Sequence, residues 1–252
     1  MRVLSTTWLA SLGLASLSLA LTSIPASIQN ETVTRGIDLF EIHLPVNWKT
    51  AVAQGVEFVF VKATEGITYH NPRFKSQTDS ARAVSASSSN GTSVFHGAIH
   101  FALAAHSTGA QQADHFIAHG GNWTADGSTL PGVLEMEGNI PGKLCHGMSP
   151  SEITDWMMDF SNRYVEVTSR RPILFLSASW WEKCAGNDET FGKEHPLWLA
   201  NWADEMGKLP AGWERQGATF WQYSGLARGG VSVEGDVFFG DREELGAFAR
   251  GV

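Results

Sequence analysis

Apolar, strand-like runs alternate with helical segments five times along this chain before the pattern changes. Residues 56–63 form an almost continuous apolar run, which is typical of a strand covered on both faces. Four more strands are predicted in this part, and a helix should follow each of the five. The strands cover residues 34–38, 56–63, 95–103, 130–139 and 172–177, and the helices residues 47–54, 71–84, 108–119, 149–167 and 180–184.

Beyond residue 184 the alternation stops. Residues 196–200, 218–223 and 231–236 are predicted strands without a full helix between them, and residues 241–250 form a closing helix. Residues 85–93 are rich in serine and are expected to form a loop. Five strand–helix units followed by three strands predict one α/β barrel, mostly parallel and without an internal domain boundary, over residues 34–252.

Two carboxylates separated by one residue follow the fourth apolar run. Glu135 and Glu137 should share one face of a strand, about 6.6 Å apart. Like charges at short range raise one pKa, which favours one protonated and one ionised acid, as glycosidic bond cleavage requires. The alternative interpretation is a pair of exposed acids at a strand end.

Asp38 and Asp236 also fall at predicted carboxyl ends of strands. Loops at that end of a barrel build the active site. The shared placement of Asp38, Glu135, Glu137 and Asp236 therefore favours a functional cluster of acids over four unrelated surface groups.

The first 26 residues have the pattern of a secretory signal peptide. Arg2 precedes an apolar stretch over residues 8–21, and small residues near Ala20 and Ala26 offer cleavage sites. A membrane anchor is the alternative, but the run is short and interrupted by serine and threonine. We therefore expect a secreted, extracellular protein that does not contact the membrane after signal removal and acts as a monomer.

The formal net charge of −8 argues against a nucleic-acid partner, whose phosphates would be repelled. Cys145 and Cys184 are the two cysteines of the chain, and they fit a disulfide in an oxidising compartment better than two unrelated thiols. Their spacing gives no support for a zinc site. Asn30, Asn90 and Asn122 begin glycosylation sequons, whose use depends on the host.

From Arg35 onward the chain resembles the family 25 glycoside hydrolases, lysozymes that cut peptidoglycan. The resemblance is carried by Gly36-Ile-Asp38, by residues 58–66 and by His100-Phe-Ala102, together with Leu130-Pro-Gly132, Trp180-Trp181 and residues 196–200 and 220–223. It implies a flattened, TIM-like (β/α)5(β)3 barrel that cleaves the β-1,4 bond between N-acetylmuramic acid and N-acetylglucosamine without a metal or organic cofactor. The cysteine pair also matches one found in secreted members.

The same resemblance implies roles for individual residues. Glu137 matches the general acid, Asp38 the first-strand aspartate and Asp236 the acid before the last helix, while Glu135 stands where the family has aspartate. We expect substrate contacts from six further residues, although the aromatic ones on the late strands could instead belong to the barrel core, Trp198 above all. These six are His100, Phe101, Trp198, Trp202, Trp221 and Tyr223.

Departures from the family pattern concentrate at the catalytic end. Glu135 replaces aspartate, Gly138 and Ile99 stand where the family has tyrosines, and residues 39–43 replace the usual first loop. This pattern predicts weakened or shifted activity. The alternative is a protein that binds peptidoglycan or chitin fragments without cutting them, which would have little reason to retain costly buried acids.

Overall fold

The computed structural model of this chain describes residues 23–43, 45–87, 93–138, 143–225 and 233–252. Within them, one sheet contains nine strands, and six α-helices accompany it. The strands are β1 (Val33–Leu39), β2 (Val56–Glu65), β3 (Tyr69–His70), β4 (Phe95–Phe101), β5 (Val133–Glu135), β6 (Ile173–Leu176), β7 (Leu197–Ala200), β8 (Phe220–Ser224) and β9 (Glu234–Phe239). The helices are α1 (Trp48–Ala53), α2 (Phe74–Ser87), α3 (Gly109–Phe116), α4 (Pro150–Thr168), α5 (Ala178–Cys184) and α6 (Arg242–Arg250).

Eight of these strands close into a barrel. Their order is β1-β9-β8-β7-β6-β5-β4-β2, and β1 pairs with β2 to complete the ring, while β3 forms a short hairpin with β2. Pairing is parallel from β1 through β2, β4, β5, β6 and β7 to β8. β9 runs antiparallel to both β8 and β1. The predicted (β/α)5(β)3 barrel is thereby confirmed.

Aromatic rings fill the barrel interior. Phe58 and Phe60 share one face of β2, and the Phe60 ring centroid lies 4.7 Å from that of Trp198. Gly36 and Gly97 make room for them, because a Cβ atom would stand 2.1 Å from the Phe58 ring and 2.3 Å from the Phe60 ring respectively. Helix α6 closes the end of the barrel next to Phe95, away from the carboxyl ends of the parallel strands.

The predicted long helix begins as the sequence indicates. Ser149 accepts a hydrogen bond from the Glu152 amide, and the Glu152 side chain bonds back to Ser149, which forms a capping box ahead of α4. Helix α2 runs longer than predicted and reaches Ser87, inside the expected loop; residues 88–92 of that loop lie outside the described residues.

The last strand differs from its prediction. β9 spans Glu234–Phe239, so Asp236 lies inside the strand and not at a carboxyl end. An apolar run carries no information about chain direction, and β9 runs antiparallel to its neighbours. Its amino end, at Glu234, therefore lies beside the carboxyl ends of the parallel strands.

Cys145 and Cys184 form the predicted disulfide, with Cα atoms 5.1 Å apart. The bond ties the segment after β5 to helix α5. Among the described helices, none has the length and apolar composition to cross a membrane. Residues 1–22 lie outside the described part of the chain, so the signal peptide stays a prediction.

Candidate active site

A pocket of about 210 Å³ opens at the carboxyl ends of the parallel strands. Its walls combine three carboxylates with one lysine and several aromatic rings. The lining residues are Phe40, Lys62, Phe101, Glu135, Glu137, Phe175, Trp202, Gln222 and Glu234. A larger cavity, of about 310 Å³, lies against α2 and contains none of these acids, so the smaller pocket is the better candidate for chemistry.

Glu135 and Glu137 stand together in this pocket, as the sequence predicts. Glu135 ends β5 and is buried, with its Oε2 atom lacking a hydrogen-bond partner, whereas Glu137 lies just beyond the strand and is half-buried. Burial raises the pKa of both, and the Glu137 charge raises the pKa of Glu135 further. The pair therefore retains a proton at a pH where isolated glutamates have lost theirs.

Lys62 opposes this effect from the pocket wall. Its ammonium charge lowers the pKa of both glutamates. The Nζ atom lies 2.6 Å from Glu65 and 4.6 Å from the centre of the Phe101 ring. Lys62 belongs to residues 58–66, which carry part of the family resemblance, and no role was predicted for it.

Asp38 and Asp236 form a second acidic pair that does not line the pocket. Both are buried, and burial raises the pKa of each well above its usual range, with a further increase from neighbouring carboxylates. Trp198 Nε1 donates to Asp236 Oδ1 at 3.2 Å. Direct contact of Asp38 or Asp236 with a substrate is therefore excluded in this conformation, and both belong beneath the pocket floor.

Glu234 supplies the third pocket carboxylate, which sequence reasoning missed. It begins β9 and faces Asp38 across the antiparallel β1–β9 pairing. A usable signal existed, because Glu234 and Asp236 repeat the spacing of Glu135 and Glu137. Only the reversed direction of β9 puts Glu234, and not Asp236, in the pocket wall.

Gln222 links the two acidic groups. Its Nε2 atom donates to Asp38 Oδ2 at 2.7 Å and to Glu234 Oε2 at 3.0 Å. It belongs to residues 220–223, which carry part of the family resemblance, and no role was predicted for it. Its position follows from the two-residue period of β8, which places Phe220 and Gln222 on the face that points into the barrel.

That same period contradicts two predicted substrate contacts. Trp221 and Tyr223 point away from the barrel and are buried with Ile28 and Val237. Trp198 is packed in the barrel interior, so the core alternative holds for it as well. Of the four late-strand and loop aromatics, Trp202 alone lines the pocket, with 63% of its surface exposed.

The strand period also separates His100 from Phe101. Phe101 lines the pocket as predicted, but His100 is buried on the opposite face, where Thr64 donates to Nδ1 and Nε2 donates to Gln112. Burial lowers the pKa of His100 to about 3. The predicted contact between His100 and substrate is therefore wrong.

The backbone at Glu137 has support from outside the sheet. The last strand-like hydrogen bond joins Met136 N to Phe175 O, and beyond it His146 Nε2 donates to the Glu137 carbonyl at 3.0 Å. His146 follows Cys145 of the disulfide directly. Trp180 Nε1 donates to the Leu144 carbonyl in the same segment.

Two departures from the family pattern can be located in the structure. Ile99 is packed in the barrel interior and does not line the pocket. A Cβ atom on Gly138 would stand 3.0 Å from Leu144, so Leu144 already occupies that space. Within the described residues, no group of three or more His, Cys, Asp or Glu side chains is arranged to hold a metal ion.

Comparison with known proteins gives a consistent match. The sequence profile of the glycosyl hydrolases family 25 matches residues 37–229. The N,O-diacetylmuramidase of a Chalaropsis species is 42% identical over 191 residues, which cover 75% of this chain and 87% of that protein. Lysozyme M1 of Streptomyces globisporus is 36% identical over 219 residues, 86% of this chain and 71% of that protein. A muramidase structure from Acremonium alcalophilum superposes with a TM-score of 0.78 at 37% identity, covering 86% and 99% of the two chains.

Proposed function

We propose that this chain, which belongs to glycosyl hydrolase family 25 and is a glycoside hydrolase, is a secreted muramidase. It hydrolyses the β-1,4 bond between N-acetylmuramic acid and N-acetylglucosamine in bacterial peptidoglycan. Residues 1–26 form its signal peptide, and residues 34–252 the catalytic barrel. The names of the muramidase relatives support the substrate, and the observation that carries the proposal is the pocket with Glu135, Glu137 and Glu234 at the carboxyl edge of the barrel.

Glu137 is the proton donor in this proposal. Its raised pKa keeps a proton available at a higher pH than an isolated glutamate would, and its partial exposure lets it reach the glycosidic oxygen. It protonates the leaving oxygen as the bond breaks and then takes a proton from the attacking water. Lys62 limits the rise in pKa, so that the glutamate can also give its proton up.

Glu135 steadies the 2-acetamido group of the substrate as its oxygen attacks the anomeric carbon. Substrate assistance of this kind is an exception to the two-carboxylate scheme. When Glu135 is ionised, its buried side chain can accept a hydrogen bond from the acetamido N–H. When Glu135 is protonated, it can donate a hydrogen bond to the acetamido oxygen. Asp38 and Asp236 act from beneath the floor by holding Gln222 and Trp198 in place.

The extra methylene of Glu135 is expected to weaken or shift this activity. It moves the carboxylate by about 1 Å relative to aspartate, and misplacement of that size can cost about 100-fold in rate. Two relatives are named N,O-diacetylmuramidase, so an O-acetylated muramic acid is a reasonable second substrate to compare.

The test is digestion of purified Gram-positive cell walls, followed by borohydride reduction of the products. Muramicitol in the reduced fraction identifies cleavage after N-acetylmuramic acid, whereas glucosaminitol would contradict the proposed bond. Clearing by wild type and not by Glu137→Gln supports the mechanism. Tight wall binding without any new reducing ends would instead indicate a non-catalytic binding protein.

A further inference from the structure

Trp202 lines the pocket and also hydrogen-bonds to a buried side chain. It follows β7 in a loop, exposes most of its ring, and donates from Nε1 to Gln222 Oε1 at 2.7 Å. Gln222 is buried, and its amide nitrogen faces the carboxylates of Asp38 and Glu234. One exposed indole is thus joined through one buried amide to two acids.

The chemistry of these groups fixes the direction of the amide. An indole N–H only donates, and a primary amide has one accepting oxygen and two donating N–H groups. With Oε1 held by Trp202, both N–H groups of Gln222 must point at Asp38 and Glu234. A reversed amide would place its oxygen against two carboxyl groups and would favour them protonated.

The position of the indole depends on Gly225. A Cβ atom at this residue would stand 2.7 Å from Cε2 of the Trp202 ring. The ring therefore packs directly on the backbone of residue 225, next to the hydrogen bond that it makes with Gln222. Any side chain at residue 225 would move the ring.

We propose that Trp202 is a positioning residue for the acids, because its indole N–H fixes the amide of Gln222 so that it donates to Asp38 and Glu234. The proposal rests on the proposed function, with Trp202 also a platform for the sugar. A saccharide that packs on the exposed ring then holds the ring, and through it the amide, in the orientation that keeps Asp38 and Glu234 as hydrogen-bond acceptors.

Trp202→Phe separates the two roles, because phenylalanine keeps an aromatic face but lacks the N–H. We expect kcat on soluble peptidoglycan fragments to fall about fivefold, the ratio that one net hydrogen bond is worth, with little change in KM. The pH–rate profile should move to higher pH, because hydrogen bonding by Gln222 lowers the pKa of Asp38 and a freed amide would let that pKa rise further. Trp202→Ala should raise KM in addition. Gly225→Ala should reproduce the Trp202→Phe profile while keeping both side chains.

A double-mutant cycle gives the sharper test. In a Gln222→Met background, Trp202→Phe should have no further effect on kcat, because the amide is already gone. The matched control pairs Trp202→Phe with Phe101→Leu, which lies in the same pocket wall and should combine additively. Additive effects of Trp202→Phe and Gln222→Met, or a Trp202→Phe enzyme with a raised KM and an unchanged pH profile, would overturn the proposal.

A readout without catalysis separates this proposal from the proposed function. In protein labelled with ¹⁵N-tryptophan, the indole resonance that vanishes in Trp202→Phe should move upfield in Gln222→Met. If wild type cuts no wall but this shift is seen, the hydrogen-bonded link stands and the proposed function fails. If the Trp202 indole resonance has the same shift in wild type and in Gln222→Met, the hydrogen bond between Trp202 and Gln222 is absent, whatever the activity.

Discussion

At the scale of single residues, a proton donor has to be shielded enough to hold its proton and open enough to deliver it. Glu137 meets both conditions, because it is half-buried and burial raises its pKa. Glu135, two residues earlier, is more deeply buried and borders the same pocket. This contrast of two similar side chains supports different roles for them.

The first prediction concerns the donor. Glu137→Gln should lower the rate of wall digestion by at least about 100-fold, the low end for general acid catalysis. Its thermal stability should be unchanged or higher, because a raised pKa means that the folded protein disfavours the ionised glutamate. Initial rates and calorimetry measure both effects.

Glu182→Gln, at an exposed position of α5, is the matched control and should keep wild-type activity. If Glu137→Gln retains more than a tenth of the wild-type rate, another group supplies the proton. A large fall in its melting temperature would show that the lost activity reflects lost structure.

The second prediction concerns the length of the Glu135 side chain. Glu135→Asp should change the ratio of the rates on O-acetylated and de-O-acetylated walls, because a shift of about 1 Å alters how the muramic acid fits. Both walls come from one batch, half of it treated with mild alkali. An unchanged ratio with an unchanged rate on both walls would show that Glu135 does not mark shifted chemistry.

At the scale of secondary-structure elements, apolar periodicity predicts which strands exist but not which way their residues face. The run over residues 218–223 is apolar on both faces, so the sequence alone did not show that Gln222 points into the pocket and Trp221 away from it. Once the barrel has formed, the two-residue period of the strand places alternate residues inside and outside it. Glu234 was missed for a different reason, since strand direction depends on distant pairing.

The third prediction concerns the disulfide in the segment between β5 and α4. Replacing both Cys145 and Cys184 by serine opens a loop with a sequence separation of 39, which should cost about 4 kcal/mol in the chain-entropy model. Because His146 beside the bond holds the Glu137 carbonyl, kcat should fall more than KM rises, even well below the melting temperature.

His146→Gln and His146→Leu test this connection with the disulfide intact. Glutamine can place an amide N–H near the position of Nε2, whereas leucine cannot donate. We expect activity to be largely retained in the first variant and to fall in the second, with similar urea midpoints. Equal activities would mean that the disulfide acts on stability alone.

At the scale of the whole molecule, buried titratable groups make stability depend on pH in two opposing ways. The folded-state pKa is raised for four acids, namely Asp38, Glu135, Glu137 and Asp236. Their contribution to stability is full below the unfolded-state pKa, about 4, and is lost as the pH rises through the folded-state pKa. The buried histidines act in the other direction, since burial lowers the pKa of His96 to about 4, of His100 to about 3 and of His195 to about 4.

The contribution of these histidines is full above about pH 6.5 and is lost as the pH falls toward their folded-state values. Between about pH 4 and 6.5 the two effects oppose each other, and above that range only the acids still respond. We therefore expect the free energy of unfolding, measured with urea at a series of pH values, to be highest in the mildly acidic range and to fall as the pH rises further through the folded-state pKa values of the acids. Asp236→Asn should reduce that fall, because asparagine keeps an oxygen for Trp198 Nε1 and removes one buried carboxyl. Asp155→Asn, on an exposed position of α4, should follow the wild-type curve. A wild-type stability that rises steadily from about pH 5 to 9, or an Asp236→Asn curve parallel to it, would show that the buried acids are not protonated in the folded protein.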